Sequence, residues 1–480
     1  MRRVNIIEIR KQLLLQAVLF VLLSSNISQQ LSVNGLQIKT VNDLEINAEV
    51  SYIPSSPMLA IDSSDNLYLT FRENIGAYSR ISLLRTDVSG DWNLTIIPIF
   101  EPEKGNYINS QPAMISFHDK LLLAVTLNNG TKSILKLLEI DPLALELEKL
   151  IEMELNETDF CRPRLAFCNQ TIWMAWHNNN ESNFNLYYSQ FNYTSMIQSS
   201  VIQISNNASG SCQNSDLFLD KDGICHFIWS QGLDYKNCIF YKSFAENNTC
   251  LRDYQLTDNS FYYNDPEIFV ENNGQVNTFW SNYSDIANTM LGTRSVQCRT
   301  YSDASNWSSY ETVAPYRPPD RYDMMTDGEN PEATYDNIAT LWMAYEIVEP
   351  VQYFTGIAIR GRKNGQWLPG EPVTPGQSPA YDPCLVADSE GHIHCVWVDF
   401  RWSYYELYYK ARYNLDLWSF EVKLTTYTNK EGAASAGKMF GLYITAVVLF
   451  GVALPSTYYI AKRIKRKKII DERRKEIMNE

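Results

Sequence analysis

The chain has 480 residues, a formal charge of −14, 45% hydrophobic and 13% aromatic residues, and nine cysteines. It is too apolar and aromatic to be disordered, and too poor in cysteine to be a disulfide-stapled miniature. Its acidity argues against a nucleic-acid partner, which needs a basic footprint, and five histidines leave little for a histidine-rich metal centre.

Residues 1–28 read as a signal peptide. Arg2, Arg3, Arg10 and Lys11 precede Leu13–Leu23, an uncharged core of eleven residues that is too short to span a bilayer as a helix. Residues 31–426 form the body. A strand-like stretch at 36–48 opens it and is expected to pair with the last repeat, closing the fold.

The body repeats one unit seven times. Each copy reads as a proline, alternating apolar residues, an acidic turn, and an apolar strand ending in an aromatic. The copies start at Pro57, Pro112, Pro163, Ser215, Pro266, Pro331 and Pro383, at intervals of 55, 51, 52, 51, 65 and 52 residues. The aromatic lies 14 positions after the anchor in Phe71, Trp229, Trp280, Tyr345 and Trp397, and at 13 in Trp176. A third strand follows, as in NLYYSQF and ELYYKAR. A fourth opens near Trp92, Trp307, Trp367 or Trp418 and runs out in patterns such as FEVKLTT. Four antiparallel strands per copy predict an all-β fold, a seven-bladed β-propeller of four-stranded antiparallel blades. The recurrent aromatic would fill the widening space between blades. The acidic turns (Asp62, Asp220, Asp222, Glu271, Asp336, Asp388, Glu390) lack calcium-loop spacing and read as turn chemistry. His392 and His394 lack a third ligand for zinc, and no cofactor is expected.

Residues 427–438 are small and polar, a stalk. Met439–Ala461 then runs 23 residues without a charge, about 35 Å as a helix, and reads as one C-terminal transmembrane helix in the lipid bilayer. The basic run from Lys462 to Lys468 opens a tail, residues 462–480, that should stay cytoplasmic. With +5 on the tail and +3 on the first 29 residues, the total of −14 leaves −22 for everything between. Beyond the signal segment, ten Asn-x-Ser/Thr sequons, at Asn93, Asn129, Asn156, Asn169, Asn180, Asn192, Asn207, Asn247, Asn282 and Asn306, agree with an exported surface.

The last copy, DSEGHIHCVWVDFRWSYYELYYKARYNLDLWS, resembles the sialidase-like, Asp-box repeat propellers. Two degenerate boxes, RTDVSGDW and YSDASNW, add to the likeness. The resemblance implies the propeller fold, with the boxes as structural turns on the side away from the ligand. A sialidase would further need three arginines for a carboxylate, a Tyr–Glu nucleophile pair and an Asp acid. The early Phe-Arg-Ile-Pro signature is absent, Tyr52-Ile53-Pro54 standing without the arginine. Arg72, Arg162, Arg321 and Arg401 fall in loops of one predicted face, and no spacing ties them into a triad.

Loops before each anchor and after each second-strand aromatic share one face. Candidate ligand residues there are Arg72, Arg162, Tyr262, Tyr263, Asp265, Asp399, Arg401 and Trp402, since aromatic rings beside carboxylates suit sugars. Asp399 and Arg401 also read as a local ion pair. The registers expected for the hairpins place Cys384 opposite Cys395 and Cys238 opposite Cys250, as two disulfides. The expected work is binding of glycans or proteins at a cell surface. The alternatives are a sialidase-type glycoside hydrolase and a structural envelope component.

Overall fold

The computed structural model describes residues 52–426 apart from short connecting segments. The signal segment, residues 36–48, the stalk, the expected membrane helix and the tail lie outside the described residues, as do the segments 87–90 and 303–305 of the two degenerate boxes.

Seven antiparallel sheets follow one another along the chain, each built from consecutive strands in the order one to four. Blade 1 comprises Tyr52–Ile61, Leu67–Ile75, Tyr78–Thr86 and Trp92–Phe100. Blade 7 comprises Ala380–Ala387, Ile393–Asp399, Glu406–Tyr413 and a fourth strand in two pieces, Leu417–Trp418 and Val422–Lys423. In blade 2 the first strand is the broken one, as Tyr107–Ile108 and Ala113–Phe117. The expected seven-bladed propeller is therefore the observed architecture.

The core lies between the blades. Its seven buried clusters coincide with the seven blade-to-blade contacts. Trp176 packs on Leu122, Ala124, Leu135 and Leu137 of blade 2. Trp397 meets Trp342 and Ile357 of blade 6, and Phe71 meets Val396 and Leu407 of blade 7. The fourth-strand tryptophans wedge the same way: Trp307 sits edge-on to Tyr241 of blade 4, and Trp92 edge-on to Tyr409 of blade 7. Among the described residues blade 1 and blade 7 exchange no strand and meet by packing. Leu59 N–H donates to Cys384 Sγ at 3.2 Å, and Ser389 N–H to Asp65 Oδ1 at 2.9 Å, across that seam.

The acidic turns bond within their own blades. One Asp388 oxygen accepts the N–H groups of Glu390 and His392, at 3.0 and 2.7 Å. The other accepts from His394 at 3.2 Å, six residues on. The same six-residue reach joins Asp62 to Tyr68, Asp220 to His226, Glu271 to Asn277 and Asp336 to Trp342.

Two expectations are corrected. Cys384 stands opposite Val396 and Cys395 opposite Leu385. A register one residue away from the expected one turns the two thiols to opposite faces, Cys384 toward blade 1 and Cys395 toward blade 6. Cys238 pairs with Gln231 on the second strand, whereas Cys250 pairs with Phe244, six residues further along the third. All four are free thiols. Among the sequons, Asn282 is buried at 8% exposure, which leaves no room for a glycan. Asn93, Asn129, Asn169, Asn247 and Asn306 are exposed and Asn192 is half-buried, while Asn156 and Asn207 lie outside the described residues.

Candidate functional site

Each first strand carries the repeat anchor, and in five blades the strand ladder breaks there. The irregularity falls between Ser55 and Met58, Cys212 and Ser215, Asn264 and Glu267, Glu329 and Glu332, and Tyr381 and Cys384. Proline has no N–H to give a ladder, so a bulge at an anchor proline sacrifices little. Three residues just before the anchor have left-handed backbones: Ser56 at φ 52°, Asp265 at φ 48° and Asp382 at φ 49°. A side chain there is strained by about 1–3 kcal/mol, a cost that clusters at functional sites.

These bulges surround one cavity of about 400 Å³, within the range of small-molecule pockets. All seven blades contribute. Ser56 and Arg72 come from blade 1, Gln111 from blade 2, Arg162 and Arg164 from blade 3, and Asn214 from blade 4. Asp265 and Glu267 of blade 5, Glu332 of blade 6, and Asp382 of blade 7 complete it. Side chains two apart on a strand share a face, so the positions before and after the anchor form two successive layers around the axis.

The pocket is electrically divided. Its arginines come from blades 1 and 3, and its carboxyls from blades 5, 6 and 7. Arg72 Nε donates to Ser55 Oγ at 3.2 Å, and Arg162 donates to Asn214 Oδ1. Neither guanidinium makes an ion pair with a described residue. Burial lowers the pKa of both, and the charge of Asp382 opposes that fall in each. Asn214 in turn donates to Asp265 Oδ1 at 2.7 Å, and the Tyr283 hydroxyl donates to Asp265 Oδ2 at 3.2 Å. Asp382 accepts the Ser56 N–H across the closing seam, but burial still holds its carboxyl above the ordinary value. Burial, with Asp216 beside it, pushes Glu332 up to about 8. His177, 1% exposed, is held down to about 3 by burial and by Arg162 and Arg164, and both ring nitrogens lack a hydrogen-bond partner among the described residues.

Of the residues expected to bind ligand, Arg72, Arg162 and Asp265 meet in this pocket. Tyr262 lies next to it, its hydroxyl donating to Gln213 at 2.6 Å and its ring edge-on to Tyr283. Tyr263 is corrected, being 4% exposed in the core between blades 4 and 5. Asp399 and Arg401 form the local ion pair that their spacing suggests and are not among the residues lining the pocket. Asp399 is fully buried and pairs with Arg401 at 2.7 Å, while Arg401 also binds Glu421 and covers the Tyr408 ring. That cluster is an internal clamp of blade 7. Trp402 and Arg321 lie outside the described residues.

Arg164, Asn214, Glu267, Glu332 and Asp382 were missed. Their signal was present in the repeat itself, since all five flank an anchor by one position. Among the described residues, no group of three or more histidine, cysteine or carboxylate side chains is arranged to hold a metal ion.

No family model matches the sequence, and no curated protein matches it. Solved structures do match in fold. An ulvan lyase, a polysaccharide lyase in complex with a GlcA-containing saccharide, is 8% identical over 75% of this chain and 94% of its own, with a TM-score of 0.52. A subtype N10 neuraminidase-like protein of the strain A/little yellow-shouldered bat/Guatemala is 7% identical over 75% of this chain and 92% of its own, with a TM-score of 0.42. An α-L-arabinofuranosidase of Fusarium graminearum is 9% identical over 73% of this chain and 91% of its own, with a TM-score of 0.43. At these identities the likeness is one of architecture.

Proposed function

We propose that this chain binds an anionic glycan in the axial pocket, as a propeller held at an extracellular membrane surface for recognition or adhesion. The carrying observation is the pair Arg72 and Arg162, two enclosed guanidiniums in one cavity with no ion pair to a described residue. A guanidinium fork matches a carboxylate or sulfate in two parallel hydrogen bonds. The opposite wall supports the rest of a sugar, because Asp265, Asp382 and Glu332 can exchange hydrogen bonds with hydroxyls. An ulvan lyase of the same architecture holds a GlcA-containing saccharide, which accords with this assignment. The membrane placement rests on the uncharged 439–461 segment and the basic run after it.

One observation favours a second reading, a glycoside hydrolase. Glu332 keeps its proton near neutral pH, the state a general acid needs. A glycan array probed with the full-length chain in detergent separates the outcomes. Retention on uronate- or sialate-bearing spots, absent with Arg162→Met, supports binding. Loss of the terminal sugar at bound spots would identify the hydrolase, and a blank array would sink both readings.

A further inference from the structure

Below the arginine layer, one step along the first strands, lie Arg164, Asp216, Glu267 and Glu332. Three carboxyls face one guanidinium. Arg164 Nε stands 3.5 Å from Asp216 Oδ1, and Asp216 Oδ2 accepts the Ile268 N–H at 3.1 Å. Burial, and then the charge of neighbouring Asp216, oppose the ionisation of Glu267. Glu332 has no hydrogen-bond or ion-pair partner among the described residues and opens into the cavity.

We propose that this acid layer makes ligand binding proton-linked: an acidic sugar above it is held only while the layer keeps its protons. The inference rests on the anionic-glycan assignment. Two residues of strand separate the layers by about 7 Å, within the screening length of about 8 Å at physiological salt. Each carboxylate that ionises below therefore repels an anion at Arg72 and Arg162.

The surrounding groups leave the acids as the titrating set. Blade 3 presents Arg162 and Arg164, with His177 beside them held neutral. Blade 7 presents Cys384, with Cys395 behind it, and burial pushes both thiols up. Asp382 of that blade, Asp265 of blade 5 and Glu346 on the neighbouring strand of blade 6 complete the acidic side. Burial, reinforced by Asp216, raises both Glu267 and Glu332.

Isothermal titration of the full-length chain with N-acetylneuraminic acid, glucuronic acid and galactose tests this, in two buffers of different ionisation heat. Affinity for the acids should be level near pH 6 and fall by up to about tenfold per pH unit above pH 8, one proton being taken up per ligand. The buffer-dependent heat reports that uptake in the parent without any variant. Glu332→Gln should flatten the profile, and Glu390→Gln, in the exposed turn of blade 7, should keep it. Binding of the acids with a level profile and no proton uptake overturns the linkage and leaves the glycan assignment standing. No binding of either acid near pH 6 overturns both.

Discussion

Asp388 shows how one side chain holds a turn. Burial opposes its ionisation, but hydrogen bonds from His394 and His392 and from the turn's N–H groups outweigh that and hold the carboxyl well below its ordinary 3.8. A lowered folded value means stability that is present above the ordinary value and lost as pH falls through the folded one. Asp388→Asn should cost about 1–3 kcal/mol at neutral pH. In urea melts that difference should shrink as pH drops below the ordinary aspartate value; a constant difference would deny the carboxylate its role. Glu332 has the opposite sign. Its folded value of about 8 exceeds the ordinary 4.5, so the folded chain keeps a proton that the unfolded chain releases. Parent stability should decline between those two values, and Glu332→Gln should gain on the parent across the same range. Equal slopes would show that Glu332 is ionised in the folded protein.

At the scale of strands, the fourth-strand endings carry the register. The hydroxyls of Ser205, Thr257, Thr374 and Thr425 accept the N–H groups of Leu186, Ile239, Ile357 and Leu407, at 2.9–3.0 Å. The carbonyl one residue before the hydroxyl receives a cation from the next blade: Ile204 from Lys242 at 2.9 Å, and Val373 from Lys410 at 2.8 Å. Arg299 does the same for Leu256 at 2.7 Å, and Arg360 for Val313, where Ala314 stands in place of the hydroxyl residue. At the closing seam the equivalent residue is Leu84, which packs with Leu424 instead. Lys410→Met should leave the Val373 carbonyl unpaired and cost about 1–3 kcal/mol, against about 3–5 kcal/mol for Trp397→Ala. Thermal melts of the two variants check the order; a neutral Lys410→Met would remove the clamp.

The blades were legible in the sequence because proline, acidic turn and aromatic recur at fixed offsets, and each has a local physical job. The cysteine partners were not. Those of Cys384 and Cys395 depend on the turn between Ala387 and Ile393, where one residue of register reverses the face of every side chain beyond it, and Cys250 pairs six residues along the third strand from Cys238. Three of the pocket's seven charged residues were legible for a related reason. Arg72 follows the second-strand aromatic and Arg162 and Asp265 precede anchor prolines, whereas Glu267 and Glu332 read as ordinary alternating strand residues until the bulges set their layer around the axis.

For the whole molecule, the described interface between blades 1 and 7 is packed like the other six, and the axial cavity is lined from all seven blades. A chain exported through a secretory route should carry glycans at Asn169, Asn247 and Asn306, all exposed, and none at Asn282, which is buried. Glycopeptide mass spectrometry decides this, and an occupied Asn282 in folded protein would contradict the packing of blade 5. The central claim is that the axial arginines hold an acidic sugar. Its most direct test is equilibrium binding of a glucuronate-terminated oligosaccharide and its neutral glucose counterpart to the full-length chain, in the parent and in Arg72→Met with Arg162→Met. The account predicts binding of the acidic oligosaccharide by the parent, at least tenfold weaker binding of the neutral one, as expected when buried charges lose their partner, and loss of the acidic preference in the double variant. Equal binding of both sugars, or an acidic preference that survives the double variant, would contradict it.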